Sequence, residues 1–225
     1  MTPQEIITGI RSIYSRFPVH RALQEHMYRC AAFAELIADN WKGPVLDRPA
    51  LIAYMLVHDL GNIVKCDFEA YAFYGDDVRS DPNSWKRRKR VTMTKYSDQA
   101  RRVTLAFLHD LGVDNRVMDL VVKQDQGEER SVVPDWECKV GTYSDMRIGP
   151  SGVVTLAERV ADLLQRRAER KFTNKEDAQK VFDPVSREIL EREVASQCTI
   201  PMEKIDDRAI EPYFRRYVEP QDRFV

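Results

Sequence analysis

The chain has 225 residues, and its 35 basic and 36 acidic side chains give a net charge of -1 at neutral pH. This length fits one domain that can bury a substantial core, and the balanced charge gives no electrostatic footprint for nucleic acid. No segment approaches the roughly 20 consecutive apolar residues that cross a bilayer. We therefore expect neither a nucleic-acid partner nor a membrane partner.

Four cysteines are scattered through the sequence without a Cys-x-x-Cys spacing: Cys30, Cys66, Cys138 and Cys198. This pattern disfavours a zinc ribbon or a disulfide framework and is typical of reduced thiols. The N-terminus lacks the basic start and the apolar stretch of a secretory signal. The sequence therefore predicts a soluble, cytoplasmic protein.

Helical periodicity dominates the N-terminal part of the chain. A first helix is predicted to end at Pro18, and a second follows the apolar stripe from Leu23 to Ile37, with His26 beside that stripe. A third is predicted to start near Pro49 and to run through the apolar residues 51–57 before Gly61.

Further helices are predicted at about 97–111, 115–123, 153–164, 178–194 (broken at Pro184) and 210–217. Only residues 131–133 favour a strand, and they are too few to define a sheet. Segments 68–90 and 127–150 are expected to be irregular and to form the walls of a site. The predicted fold is all-α, with a metal-binding helical domain at 1–170 and a helical C-terminal extension at 171–225 packed on it.

The pair His58-Asp59 stands at the end of the apolar third helix. A buried carboxylate and imidazole are costly unless something neutralises them, and one divalent cation could serve both. His26, in the preceding helix, supplies a second nitrogen ligand. The doublet is therefore a candidate metal site.

These residues resemble the HD-domain metal-dependent phosphohydrolases, in particular their nucleotidase-like branch. The pattern of that family is a histidine in the first helix, a His-Asp doublet and a distal Asp, which correspond here to His26, His58, Asp59 and Asp145. The resemblance covers about residues 20–167 and implies an HD-domain-like helical bundle. Asp162 is a second candidate for the distal ligand, although the apolar stripe puts it on the polar side of its helix.

The resemblance implies an enzyme that hydrolyses a small phosphate ester, with a nucleotide or nucleoside monophosphate as the first candidate. Two imidazoles and two carboxylates suit Mn, Co, Fe or Ni better than Mg. Dinuclear members carry additional histidines, and residues 121–126 hold none. We therefore expect one divalent metal ion.

The sequence departs from the family at one of two positions after the doublet. Asn62 stands where the family has a Glu, and Asp67 stands where it has an Asp. An amide cannot transfer a proton as a carboxyl group does, so Asp67 is predicted to position or deprotonate water and Asn62 to hydrogen-bond water or phosphate. The alternatives are a helix-end role for Asn62 and an N-cap role for Asp67.

Three cations are candidates for contact with the substrate phosphate: Arg29, Lys95 and Arg147. The alternative for Arg29 is a surface ion pair on its own helix, and the basic run at 85–90 is either a solvated face or a phosphate contact. A second His-Asp pair, His109-Asp110, precedes Gly112 and is predicted to be a helix end.

The rival hypothesis is a non-catalytic metal- or nucleotide-binding module of the HD fold, which Asn62 favours. A homo-oligomer is compatible with the sequence.

Overall fold

The computed structural model describes residues 1–68, 74–124, 135–169 and 184–218, with side chains given outside 166–169 and 184–186. The described chain is all-α apart from one short hairpin. Its helices are α1 (Pro3–Arg16), α2 (Arg21–Asp39), α3 (Arg48–Val57), α4 (Asp76–Ser80), α5 (Pro82–Lys95), α6 (Ala100–Asp110), α7 (Asn115–Gln124), α8 (Trp136–Arg147), α9 (Leu156–Glu169), α10 (Pro184–Ser196) and α11 (Asp207–Phe214). Two 3-10 turns span Asn62–Lys65 and Met202–Lys204, and the hairpin pairs Ile148–Gly149 with Gly152–Val153.

Helix α3 is the centre of the bundle. Asp47 caps its first turn by accepting a hydrogen bond from the amide of Ala50, and Pro49 fixes the backbone there. Residues 50–57 are all buried, and α1, α2, α7 and α8 pack around them. The end of α3 therefore delivers His58 and Asp59 to the interior.

Helix α8 approaches α3 closely because Gly141 has no side chain. A Cβ at this position would lie 2.3 Å from Cε1 of Tyr54, which is well inside van der Waals contact. A second close approach involves Gly61, where a Cβ would lie 2.2 Å from the carbonyl oxygen of Ala100. The Gly61 amide donates to Oγ1 of Thr104, so α6 holds the turn after the doublet.

The described C-terminal segment packs on the helical bundle. Helix α11 lies against α2, and α10 lies against α8. The buried carboxylate of Glu35 on α2 accepts hydrogen bonds from Arg48, Arg216 and Tyr217. The side chain of Arg48 comes from α3, so one carboxylate joins three parts of the chain.

Two segments that were expected to be irregular are helical. Helices α4 and α5 occupy most of 76–95, and α8 occupies 136–147. Helix α5 is polar nearly all round, and α8 is buried on almost every side, so neither shows the one-sided apolar stripe that predicts a helix. The weak strand at 131–133, the first part of the predicted helix from 178 and the expected boundary at 170/171 lie outside the described residues.

None of the helices in the described ranges combines the length and the apolar character needed to cross a membrane.

Candidate metal centre

The predicted ligands come from α2, from the turn that follows α3 and from α8, and they lie close together. Nε2 of His26, on α2, lies 3.1 Å from Oδ1 of Asp145, on α8. Oδ2 of Asp59 lies 3.8 Å from Nε2 of His26 and 3.7 Å from Nε2 of His58. Nε2 of His58 lies 3.8 Å from Oδ1 of Asp145. The structure thus brings together all four residues, although 119 positions separate His26 from Asp145.

A hydrogen bond to the backbone fixes the orientation of the His58 ring. Its Nδ1 lies 2.8 Å from the carbonyl oxygen of Met55, so this nitrogen carries the proton and donates it. The side chain is fully buried, and Nε2 has no hydrogen-bond partner among the described residues. A buried nitrogen without a partner is costly. A metal-ligating histidine has this same arrangement, with the outer nitrogen bonded to a carbonyl and the inner one facing the ion.

The carboxylates make the centre electronegative. Burial alone would lower the pKa of His58, but Asp59 and Asp145 outweigh burial and raise that pKa to about 9. Burial alone would raise the pKa of Asp145, but the imidazoles of His26 and His58 hold it well below its ordinary range. Positive charge is thus favoured between these side chains, which is the condition for holding a cation.

Cys30 joins the cluster from α2. Its Sγ lies 3.6 Å from Nε2 of His26, and one donor atom from each of His26, Cys30, His58 and Asp145 lies within 4.8 Å of every other. Burial and the negative charges of Asp145 and Asp59 raise the pKa of the Cys30 thiol well above its usual value. The donor set can therefore hold a metal ion, with a sulfur atom among its members.

A cleft of about 160 Å³ opens beside the histidines and carboxylates. Its described lining includes His58, Asp59, Asn62, Lys65, Arg101, Thr104, Val121, Gln124, Thr142 and Asp145. Lys65 and Arg101 supply positive charge on the wall, and the guanidinium of Arg101 also donates to the carbonyl oxygen of Val122. Oγ1 of Thr142, one turn before Asp145, is buried and has no hydrogen-bond partner in the described part of the chain. The cleft thus combines metal donors, cations and a buried hydroxyl.

The two predicted proton-handling residues are separated. Asn62 lines the cleft, at the start of the 3-10 turn that follows the doublet. Asp67 instead lines a second groove, together with Lys86, Lys89 and Arg90 of α5. The structure does not bring Asp67 to the cleft.

The three cations that were predicted to bind phosphate do not line the cleft. Arg29 pairs with Glu25 at 3.4 Å, and its guanidinium lies over the ring of Phe214. Lys95 is exposed at the end of α5, with its ammonium 4.6 Å from the ring centroid of Tyr96. Neither side chain lines the described cleft wall.

Arg147 is a structural residue in this fold. Its guanidinium is buried, and it donates to the hydroxyl of Tyr143 and to the carbonyl oxygens of Val154, Met202 and Ile205. These bonds join α8 to the hairpin and to the C-terminal segment. These bonds engage the Arg147 guanidinium away from the cleft lining, and the predicted phosphate contact stays a prediction.

The remaining candidates have local roles. Asp162 pairs with Arg159 at 3.1 Å on α9 and is not part of the cluster that includes Asp145. The pair His109-Asp110 forms the end of α6, before Gly112 with a φ of 62°. The other histidine of the sequence, His20, caps α2, with Nδ1 accepting from the amide of Leu23.

Sequence reasoning missed Cys30, Lys65, Arg101 and Thr142. Cys30 follows His26 by four residues, a spacing that puts both on one face of a helix, and this signal was available in the sequence. Thr142 stands three residues before Asp145 on a helix that was not predicted. Lys65 and Arg101 carry no motif, and only the packing of α6 against the 3-10 turn brings them to one wall.

No known protein family matches the chain, and no curated protein and no solved structure matches it either.

Proposed function

We propose that this protein is a metal-dependent phosphohydrolase that acts on a small phosphate ester, with His26, His58, Asp59 and Asp145 holding one divalent cation. The observation that carries the proposal is the fully buried Nε2 of His58, which has no hydrogen-bond partner among the described residues and faces two carboxylates and a second imidazole. The class of reaction comes from the resemblance of this four-residue pattern to the HD-domain phosphohydrolases.

The donor chemistry supports a transition metal. Imidazole nitrogen is a poor partner for Mg²⁺, whereas a mixed set of nitrogen and carboxylate oxygen suits Mn, Co, Fe or Ni. When bound, such an ion supplies a more acidic water and stabilises negative charge on phosphate. Met55 contributes by holding the His58 ring in the one tautomer that leaves Nε2 free to bind.

The cleft suits the phosphate end of a substrate. Its volume of about 160 Å³ is below the roughly 300 Å³ at which typical small-molecule pockets begin, so the remainder of a nucleotide would lie outside it. Lys65 and Arg101 offer N–H donors and positive charge to phosphate oxygens. The hydroxyl of Thr142 offers a further hydrogen bond from the buried side.

The cleft offers few groups that could transfer a proton. Among the described residues that line the cleft, the carboxylates are Asp59 and Asp145, and both are assigned to the cation. Asn62 can orient a water molecule or a phosphate oxygen by hydrogen bonding, but it cannot take a proton. The chain would therefore rely on the cation to acidify water, with Asn62 as a positioning residue.

Asn62 also favours a second candidate function, a metal-dependent binding module without turnover. Such a module would use the same cation, Lys65 and Arg101 to hold a phosphorylated ligand. Both candidates require the metal centre, and they differ only in whether the bound ester is cleaved.

The test combines metal analysis of the purified protein with a panel of phosphate monoesters and nucleotides, assayed with Mn²⁺, Co²⁺, Fe²⁺ and Ni²⁺. We expect one equivalent of metal, and phosphate release that a chelator abolishes and that Asp145→Asn lacks. Metal-dependent ligand binding without phosphate release selects the binding module. A protein that takes up none of these ions overturns both functions.

A further inference from the structure

Cys30 is fully buried, and its sulfur lies within the candidate metal centre. It stands one turn after His26 on α2, and its sulfur faces the imidazole. A buried cysteine usually acts as a small apolar side chain. Here, however, the sulfur lies among groups that can bind a cation: two histidines and the carboxylate of Asp145.

The distances fit coordination of sulfur and nitrogen to one ion. Bonds of about 2.3 Å to sulfur and about 2.0–2.1 Å to nitrogen at a tetrahedral angle separate the two ligand atoms by about 3.5–3.6 Å. The measured separation between Sγ of Cys30 and Nε2 of His26 is 3.6 Å. Nε2 of His58 supplies an independent sign that an ion belongs here, since it is fully buried and has no hydrogen-bond partner among the described residues.

We infer that the Cys30 thiolate is a direct ligand of the cation held by His26, His58 and Asp145, and that the centre therefore prefers a thiophilic ion, Zn²⁺ or Co²⁺. The inference rests on the metal centre of the proposed function and changes its preferred ions, since it adds Zn²⁺ and disfavours Mn²⁺. When the bond forms, the S–H bond breaks, sulfur donates an electron pair to the cation and the proton leaves to the buffer, so no oxidant or reductant is needed.

Sulfur changes the ranking of metals. Thiolate ligands select zinc and disfavour manganese and magnesium, which prefer oxygen. Asp59 is outside the four-atom group that includes Cys30, although its Oδ2 lies within 4 Å of both imidazoles. With sulfur bound, Asp59 would be a further donor beside these four.

The experiment loads metal-free protein with Co²⁺ and records its absorption spectrum. A cobalt–thiolate bond gives a charge-transfer band in the near ultraviolet, separate from the visible ligand-field bands that any bound Co²⁺ shows. We expect the near-ultraviolet band in the wild type and in Cys138→Ser, which changes a buried thiol of α8 outside the cluster. Cys30→Ser is expected to retain the visible bands, to lose the near-ultraviolet band and to bind Zn²⁺ roughly 10-fold or more weakly.

A second measurement does not depend on the folding of a variant. X-ray absorption of the zinc-loaded wild type is expected to show one sulfur neighbour at about 2.3 Å. Visible bands without the charge-transfer band, or a zinc shell of nitrogen and oxygen only, overturn the role of Cys30 and leave the metal centre intact. Failure to bind either Zn²⁺ or Co²⁺ overturns this inference, and the proposed function falls with it only if Mn²⁺, Fe²⁺ and Ni²⁺ are not bound either.

Discussion

Nε2 of His26, on helix α2, and Oδ1 of Asp145, on helix α8, lie 3.1 Å apart. This contact joins the two helices. Asp145 is partly exposed, at 28% of its side-chain surface, because it borders the cleft, whereas most of the rest of α8 is buried. The contact therefore joins the interior of the bundle to the cleft that Lys65 and Arg101 border.

Asp145→Asn is predicted to lower metal affinity by about 100-fold, because the amide has no negative charge to bind a cation. Isothermal titration with Co²⁺ or Zn²⁺ measures the change. The matched control is Asp162→Asn, which removes the other candidate distal carboxylate and is expected to leave affinity unchanged. Equal losses in the two variants would contradict the assignment of Asp145.

Lys65→Ala is predicted to weaken the capture of a phosphorylated ligand by roughly 10-fold without changing metal content. A charge-assisted hydrogen bond contributes about 1.5–3 kcal/mol to binding. Lys65 is exposed, and screening reduces the contribution of its bond. Ligand titration of the metal-loaded protein, or kcat/KM where turnover occurs, gives the readout. Lys95→Ala, at the end of α5, serves as the control and should behave like the wild type.

Gly141→Ala is predicted to destabilise the fold by about 1–3 kcal/mol, because the added Cβ meets the ring of Tyr54 at 2.3 Å. The displacement of α8 should also weaken metal binding, since α8 carries Asp145. Gly9→Ala is the control: its Cβ would meet only Cε of Met1, at 4.0 Å, and the higher helix propensity of alanine should stabilise α1. Urea denaturation of both variants tests the contrast, and a wild-type stability for Gly141→Ala would refute it.

Arg147→Ala is predicted to cost about 3–5 kcal/mol of unfolding free energy, because it removes a buried charge that donates to one hydroxyl and three carbonyl oxygens. Chemical denaturation measures the loss. Arg147→Lys should recover only part of it, since an ammonium cannot reproduce the planar fork. The metal affinity of the folded fraction should be retained, and its loss would indicate that Arg147 acts at the site after all.

Stability is predicted to depend on the protonation of His20. Burial lowers the pKa of His20 from 6.5 to about 4, against the opposing charge of Asp77. Between these two values the unfolded chain binds a proton that the folded chain does not, so stability falls as the pH falls from about 6.5 to about 4, by up to about 1.4 kcal/mol per unit. The rings of Tyr74 and Trp85 lie nearly perpendicular to the imidazole, with centroids 5.1 and 5.9 Å away, and His20 is buried.

The matched variant is His20→Asn, which keeps a side-chain acceptor for the first turn of α2 and cannot titrate. Its stability should vary less between pH 6.5 and 4 than that of the wild type. Thermal unfolding at a series of pH values makes the comparison. Parallel curves for the two proteins would show that His20 is not the group responsible.

The sequence predicted that His26, His58 and Asp59 meet because their signals are local and chemically distinctive, whereas the family resemblance pointed to Asp145. His58 and Asp59 end an apolar helix, where an uncompensated charge is costly, and His26 lies beside an apolar stripe. Other features depend on tertiary packing. Arg147 looks like a free cation near Asp145 in the sequence, yet the C-terminal segment encloses it. Asp67 follows the doublet by eight residues, but the 3-10 turn at 62–65 sends it into a different groove.

Helix α8, which carries Asp145, shows why hydrophobic periodicity did not predict every helix. Its own residues are buried on almost every side. Polar and small side chains such as Thr142 and Ser144 therefore face the interior, as apolar ones do. Ser144 satisfies its hydroxyl by donating to the carbonyl oxygen of Val140. A helix of this kind has no apolar stripe to recognise, and only the elements around it determine that it forms.

The carboxylate of Glu35 has a consequence for biosynthesis. Two of its three partners, Arg216 and Tyr217, leave the ribosome about 180 residues after it. Until then the nascent chain carries an acidic side chain at the heart of α2 with only Arg48 to compensate it. The helix that bears His26 thus reaches its final environment only after the segment with Arg216 and Tyr217 has been synthesised, and the order of synthesis delays completion of the bundle.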